Sequence, residues 1–346
     1  MKFKNNNKTK LNYFFIVLLG SLSILAILQL LPDRKIDLVS ASWQSNKPQQ
    51  TNQNELTNAI AQVKNVPQGT FNYGGSVCFA PLVREGFHEA IEKAHPSIDL
   101  NYVETVELVG CGTSIKPLLE KDLSFLFNTR SLLFEEYEQA QKRGIDLISI
   151  PIALDGIAIY SHNSLPIDFI TLQQLQNIYL GKITNWQELG GPNLPIIPVS
   201  LSLKANTDLQ VLMQLNGKSV RQLNLNESTI FVRDYTTAIR TVAKTPGAIS
   251  LASAAIVFGQ SSVKPIALSK NNTSIPISVI LADRSINLKA IESRSYPLTR
   301  ELSIVFRNEL SSARQAAMAY SNFLQTQQGQ LFLERAGFVP VLSFRN

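Results

Sequence analysis

Between Lys10 and Asp33 the chain carries no charged side chain, and residues 11–31 form an apolar run with no polar face. A helix of that length, at ~1.5 Å per residue, spans about 30 Å, the hydrocarbon thickness of a bilayer. A helix packed on a globular core needs a polar side to meet water, so the run is predicted to cross a membrane. Lys2, Lys4, Lys8 and Lys10 hold the preceding end in the cytoplasm, which sends everything after Arg34-Lys35 outside. Val39-Ser40-Ala41 offers a late cleavage site, so a retained anchor and a removed leader both stay open, with the length favouring the anchor. No cysteine follows the run closely, so attachment to lipid through one is excluded.

Composition limits what the extracytoplasmic part can be. Two cysteines and three scattered histidines (His88, His95, His162) exclude a disulfide-stapled miniprotein, a Cys-rich zinc module and a His-built metal site. The net charge of +6 is concentrated at the start. Residues 1–41 hold six basic and two acidic side chains, and the remainder holds 26 against 24. A nearly neutral domain is not a nucleic-acid binder.

The chain divides into a basic tail (1–10), a transmembrane anchor (11–31), a Gln- and Asn-rich flexible tether (32–68) and a folded domain (69–346). In the domain, Val83, Phe87, Ala90, Ile91 and Ala94 fall at helical spacing, whereas Ile98, Leu100 and Tyr102 alternate as a strand does. A short helix over 115–119 and a strand over 123–127 follow, then a helix over 134–143 stopped by Gly144. Strands are predicted over 147–152 and 157–160. Thr171 and Gln174 form a capping box for a helix ending at Gly181. Further helices are expected over 207–215, 236–244 and 313–336, the last broken near Gly329. Strands alternating with helices predict parallel sheets and an α/β fold.

Signatures of catalysis are absent: there is no Gly-x-Ser-x-Gly elbow, no Cys-x-x-Cys and no His-Glu-x-x-His. Gly217-Lys218-Ser219 lacks the earlier glycine of a phosphate-binding P-loop, its place being taken by Leu212. What remains are loops that follow strands and open helices, where backbone N–H groups suit small anions: Gly75-Ser76-Val77-Cys78, Gly110-Cys111-Gly112-Thr113 and Asn128-Thr129.

The segment from Thr171 through Ile178-Tyr179-Leu180-Gly181-Lys182-Ile183-Thr184-Asn185-Trp186 resembles a hallmark of phosphate-binding solute-binding proteins of ABC transporters, the PstS-like family. The likeness runs in order from Gly74-Gly75-Ser76 through Asp155-Gly156-Ile157-Ala158, Pro246-Gly247-Ala248-Ile249 and Tyr296-Pro297-Leu298 to Gly337-Phe338-Val339-Pro340. The resemblance implies a two-lobed periplasmic-binding-protein fold of type II with two crossover hinge strands. Lobe one would comprise 69–154 and 252–346, and lobe two 155–251. It implies binding without catalysis, no cofactor and no metal, an ABC permease as partner, and phosphate or another small oxyanion in the cleft. Ser76, Thr113, Thr129 and Thr207 would line that cleft, with the amides of Cys78 and Gly112.

Several family positions differ. The first-loop hydroxyl falls on Val77 or Cys78, the second-loop serine on Cys111, and the lobe-two loop reads Lys204-Ala205-Asn206-Thr207. The usual arginine is Leu201, with Lys204 or Arg130 as other sources of positive charge. Trp186 and Tyr179 read as core, Arg130 and Arg233 as ion-pair residues, and Asp155 as ordering the lobe crossing. Cys78 and Cys111 would either bond across the lobe-one half of the site or stand there as two small buried residues. The altered loops leave a second function open, a non-transporting relative used for sensing or protein interaction.

Overall fold

The expected alternation of strand and helix is present in the computed structural model, which describes residues 59–104, 114–202, 207–214 and 224–341. The apolar run of 11–31, its basic tail and most of the tether lie outside the described residues. Among those described, no helix is long and apolar enough to cross a membrane.

The first lobe is built from β1 (Gly69–Gly75), α1 (Ala80–Arg84), α2 (Phe87–Ala94), β2 (Ile98–Tyr102), α3 (Lys116–Leu119), β3 (Phe125–Asn128) and α4 (Phe134–Lys142). The chain then passes into the second lobe along β4 (Leu147–His162). There follow β5 (Phe169–Thr171), α5 (Leu172–Tyr179), β6 (Ile197–Leu201), α6 (Thr207–Gln214), β7 (Ile230–Val232), α7 (Tyr235–Lys244), β8 (Ala248–Ser253), α8 (Ala254–Val257), β9 (Val263–Ser269) and α9 (Leu288–Glu292). β10 (Thr299–Arg307) returns to the first lobe, which α10 (Ser312–Gln325), α11 (Gln327–Arg335) and β11 (Val339–Pro340) complete.

The strands run in the order β2-β1-β3-β10-β4-β8-β6-β7. β1 is parallel to β2 and β3, while β10 is antiparallel to β3 and β4. Beyond Gly156, β4 leaves β10 and pairs instead with β8 and β9. β4 and β10 are therefore the two crossover strands, and Arg300 on β10 lies opposite Asp155 on β4 at the crossing. Each lobe has its own core. Phe79, Phe87, Phe125, Phe127, Tyr320 and Phe338 fill the first, and Tyr160, Ile178, Tyr179, Trp186 and Leu251 the second. Trp186 and Tyr179 are core residues as expected, the indole donating to the Gly247 carbonyl at 2.9 Å.

Four boundaries differ from the sequence reading. The helix expected from Pro81 is two helices, because Gly86 takes the left-handed conformation at φ +86°. The two strands expected over 147–160 are one, since Gly156 marks close packing and not a turn: a Cβ there would lie 2.5 Å from Val279 Cγ2. The C-terminal helix breaks at Thr326, whose Oγ1 caps α11 by accepting from the Gly329 amide at 2.9 Å; Gly329 is needed because a Cβ would strike the Phe323 carbonyl. Residues 254–298 belong mostly with the second lobe and not the first, since β9 pairs with β4 and β5 and Val279, Ile291, Tyr296 and Leu298 join that core. In addition, 59–68, assigned to the tether, packs on the first lobe: Ile60 and Val63 are buried, and the Ile60 amide donates to Gln328 Oε1 at 3.1 Å.

Candidate functional site

Strands β1 and β3 are neighbouring and parallel, so the loops after their C-terminal ends open on the same side. Gly75, at φ +93°, turns the chain so tightly against β3 that a Cβ would collide with the Phe127 carbonyl. The Ser76 amide donates to that same carbonyl at 3.0 Å. Ser76 then caps the 3₁₀ turn Val77–Phe79, its Oγ accepting from the Cys78 amide at 3.2 Å. Phe79 stacks on Phe127 at 4.1 Å, which anchors the turn in the core. Ser76, Cys78 and Thr129 are all buried. The Cys78 amide, expected to face a ligand, is directed to Ser76. Cys78 is disulfide-bonded; Cys111, the other cysteine of the sequence, lies outside the described residues, as do Gly112, Thr113 and Lys204.

From the second lobe, Thr207 opens α6 and Asp208 occupies its first turn. The position expected for an arginine, Leu201, ends β6 as a buried apolar side chain. Arg130 is held by Glu136 through two contacts of 2.8 Å, and the exposed Arg233 pairs with its neighbour Asp234.

The buried cation at the lobe crossing is Arg300. Its Nε and Nη2 reach Asp155 Oδ2 at 2.9 and 2.7 Å, and its Nη1 reaches Asp208 Oδ1 at 2.5 Å. Nη2 also lies 3.3 Å from Cys78 Sγ. Ser253, the cap of α8, donates to Asp155 Oδ1 at 2.9 Å, and Tyr235 donates to Asp208 Oδ2 at 2.6 Å. Arg300, Asp155 and Asp208 are all buried. One guanidinium thus joins the hinge, the first loop of lobe one and the start of α6 in lobe two.

Burial by itself would favour a neutral Arg300, but the Asp208 and Asp155 charges outweigh it and raise its pKa. Burial pushes the Asp155 carboxyl up, and Arg300 draws it back. Burial, followed by the charge of Asp208, holds the Tyr235 hydroxyl well above the ordinary tyrosine range. With Arg300 and both aspartates ionised, the cluster carries one net negative charge. Beside it, Tyr160 and Ser250 are opposite one another on β4 and β8; Ser250 lies close enough to act on the Tyr160 and Tyr179 hydroxyls, and among the described residues no acceptor meets the Tyr160 hydroxyl at good hydrogen-bond geometry.

Asp155 orders the crossing, as the sequence suggested. Arg300 and Asp208 were not singled out there, and of the two Arg300 alone had a signal. Arg300 stands near the start of β10, a strand whose middle is apolar and buried, and a charge buried there demands a counter-ion. Asp208 looks like an ordinary first-turn acid complementing the helix dipole, and nothing in its spacing points to the hinge. Among the described residues no group of three His, Cys, Asp or Glu is placed to hold a metal.

A family model described as the PBP superfamily domain matches residues 61–328. The chain is 22% identical over 272 residues to the phosphate-binding protein PstS of Borreliella burgdorferi, covering 78% of this chain and 88% of that protein. A Clostridium perfringens protein solved with bound phosphate superposes at a TM-score of 0.62 with 24% identity, over 79% of this chain and 100% of the other. An ABC-type phosphate transport receptor of Vibrio cholerae superposes at 0.60 with 21% identity, over 78% and 99%. At these identities the solved structures speak for the shared two-lobed fold.

Proposed function

The chain belongs to the PBP superfamily, and from that premise we propose that it is an extracytoplasmic substrate-binding protein of the phosphate ABC-transporter type. It takes phosphate or a related oxyanion between its lobes and delivers it to an ABC permease. The N-terminal apolar run tethers it to the cytoplasmic membrane. Binding, not catalysis, is its activity. Ser76 and Thr129 with the Gly112 amide and Thr113 make up the lobe-one half of the site, Thr207 the lobe-two half, and Cys78–Cys111 is a disulfide that braces the first two loops.

The observation that carries this reading is the position of Arg300. An oxyanion removed from water needs charge-assisted donors, each contributing about 1.5–3 kcal/mol. The guanidinium contacts both the first loop and the α6 start, so a cation stands where the two halves meet. Calorimetric titration of inorganic phosphate into the full chain, without reductant, tests the reading. Dissociation at micromolar concentrations or below supports it, and no heat at millimolar phosphate rejects it.

A second reading, a non-transporting relative that senses or binds protein, is favoured by one feature. Asp155 and Asp208 already engage Arg300, and the family arginine is the buried Leu201.

A further inference from the structure

An arginine offers five N–H donors. In Arg300, Nε–H and one Nη2–H go to Asp155, a second Nη2–H faces Cys78 Sγ, and one Nη1–H goes to Asp208, which leaves a single donor. Asp155 sits on the same pair of crossover strands as Arg300 and is fixed further by Ser253. Asp208 differs: it comes from the other lobe, on the turn that follows Thr207, and reaches across to the hinge. It presents to the guanidinium what a bound oxyanion would present, two charged oxygens, one accepting from Arg300 and one from Tyr235.

We propose that Asp208 is a resident counter-ion of the cleft, occupying the guanidinium face that the ligand needs, so that an oxyanion binds by displacing this carboxylate from Arg300. The inference rests on the phosphate-binding reading above. Asp155 remains the fixed partner that aims the guanidinium, and Asp208 the exchangeable one. The displaced carboxylate has partners to move to. Tyr235 stays bonded to it, and the buried Tyr160 hydroxyl, opposite Ser250 and without a well-aligned acceptor among the described residues, stands near enough to feel the Asp208 charge. A carboxylate arriving from Arg300 would give the Tyr160 hydroxyl the charged acceptor it lacks. The consequence is an affinity set by competition: the Arg300 charge is already met by carboxylates without ligand, and phosphate must displace an anion already in place.

Inorganic phosphate is titrated calorimetrically at pH 7 into the full chain, into Asp208→Asn, and into the uncharged triple variant Arg300→Met/Asp155→Asn/Asp208→Asn. Asp208→Ser, which keeps an oxygen for Tyr235, serves as a second replacement, and circular dichroism with urea melts verifies that each variant is folded. The expected result is binding roughly tenfold or more tighter in Asp208→Asn than in the parent, because a charge-assisted competitor has gone. The triple variant should lose that gain. Tyr160→Phe should weaken binding in the parent and leave Asp208→Asn unaffected, a dependence that a purely structural role for Tyr160 does not produce. Phosphate binding by the parent with equal or weaker binding by Asp208→Asn and Asp208→Ser overturns the inference and leaves the phosphate reading standing. Absence of binding by the parent and by both single variants at millimolar phosphate overturns both.

Discussion

Replacing Arg300 by Met tests the charge balance of the hinge. The side chain is buried and serves two buried carboxylates, so its removal strands Asp155 and Asp208 with, among the described residues, Ser253 and Tyr235 as side-chain donors. Breaking a buried ion pair by deleting one partner costs about 3–5 kcal/mol. Asp208→Asn is milder, since Arg300 keeps Asp155 and the cluster becomes neutral; the loss is that of one charge-assisted hydrogen bond, about 1.5–3 kcal/mol. The uncharged triple variant removes the stranded charges and should recover much of what Arg300→Met loses, because a buried ionic cluster is not in itself a large source of stability. Urea denaturation at pH 7, with m unchanged, reads all three values. The pH dependence carries a sign as well. Burial raises the Asp155 carboxyl and Arg300 is what draws it back, so without Arg300 its folded pKa lies further above the unfolded one, the folded state binds more protons, and the Arg300→Met deficit shrinks as pH falls from 7 toward 4. An Asp208→Asn variant as unstable as Arg300→Met, or a triple variant no more stable than Arg300→Met, refutes this reasoning.

Three other perturbations follow from the first lobe. His88 is buried between the Tyr73 hydroxyl (3.3 Å from Nδ1) and the Tyr320 hydroxyl (2.8 Å from Nε2), and burial lowers its pKa from 6.5 to about 4. The unfolded chain takes up this proton first, so stability is complete above pH 6.5 and falls by about 3 kcal/mol as pH drops to 4; urea melts of His88→Gln should lack that part of the slope. Gly75→Ala places a Cβ against the Phe127 carbonyl at a positive φ and should cost about 1–3 kcal/mol, with weaker phosphate binding in the same titration. Reducing the proposed Cys78–Cys111 bond should lower stability by about 3–4 kcal/mol, the chain-entropy value for a loop of this span; two thiols titratable in the unreduced, denatured chain would contradict the pairing.

Much of the domain was legible because its signals are local. Helical spacing, the Thr171–Gln174 capping box and the stop at Gly144 each correspond to an observed element, and the glycine at Gly75 marks an observed turn into the first loop. The lobe boundary was less legible, because β9 joins the second lobe through pairing with β4 and β5, partners far away in sequence. Gly329 reads as a break and Gly156 falls in a gap between two expected strands, yet both are close-packing positions, a distinction that depends on Val279 and Phe323 and not on the neighbouring residues. The site was hardest to read for the same reason. Asp155, Asp208 and Arg300 come from three separate elements, and local sequence gives no sign that two acids and one base share a hinge. The family arginine position at Leu201 and the other expected cations, Lys204 and Arg130, do not include the one that β10 supplies.

The most direct test of phosphate binding in an Arg300-centred cleft is a crystal structure of the chain grown at saturating inorganic phosphate. The predicted result is an anion between the lobes, within hydrogen-bond distance of Ser76 and the start of α6, with Arg300 turned to it and Asp208 withdrawn toward Tyr160 and Ser250. A cleft without an anion, in which Arg300 still holds both Asp155 and Asp208, would contradict it.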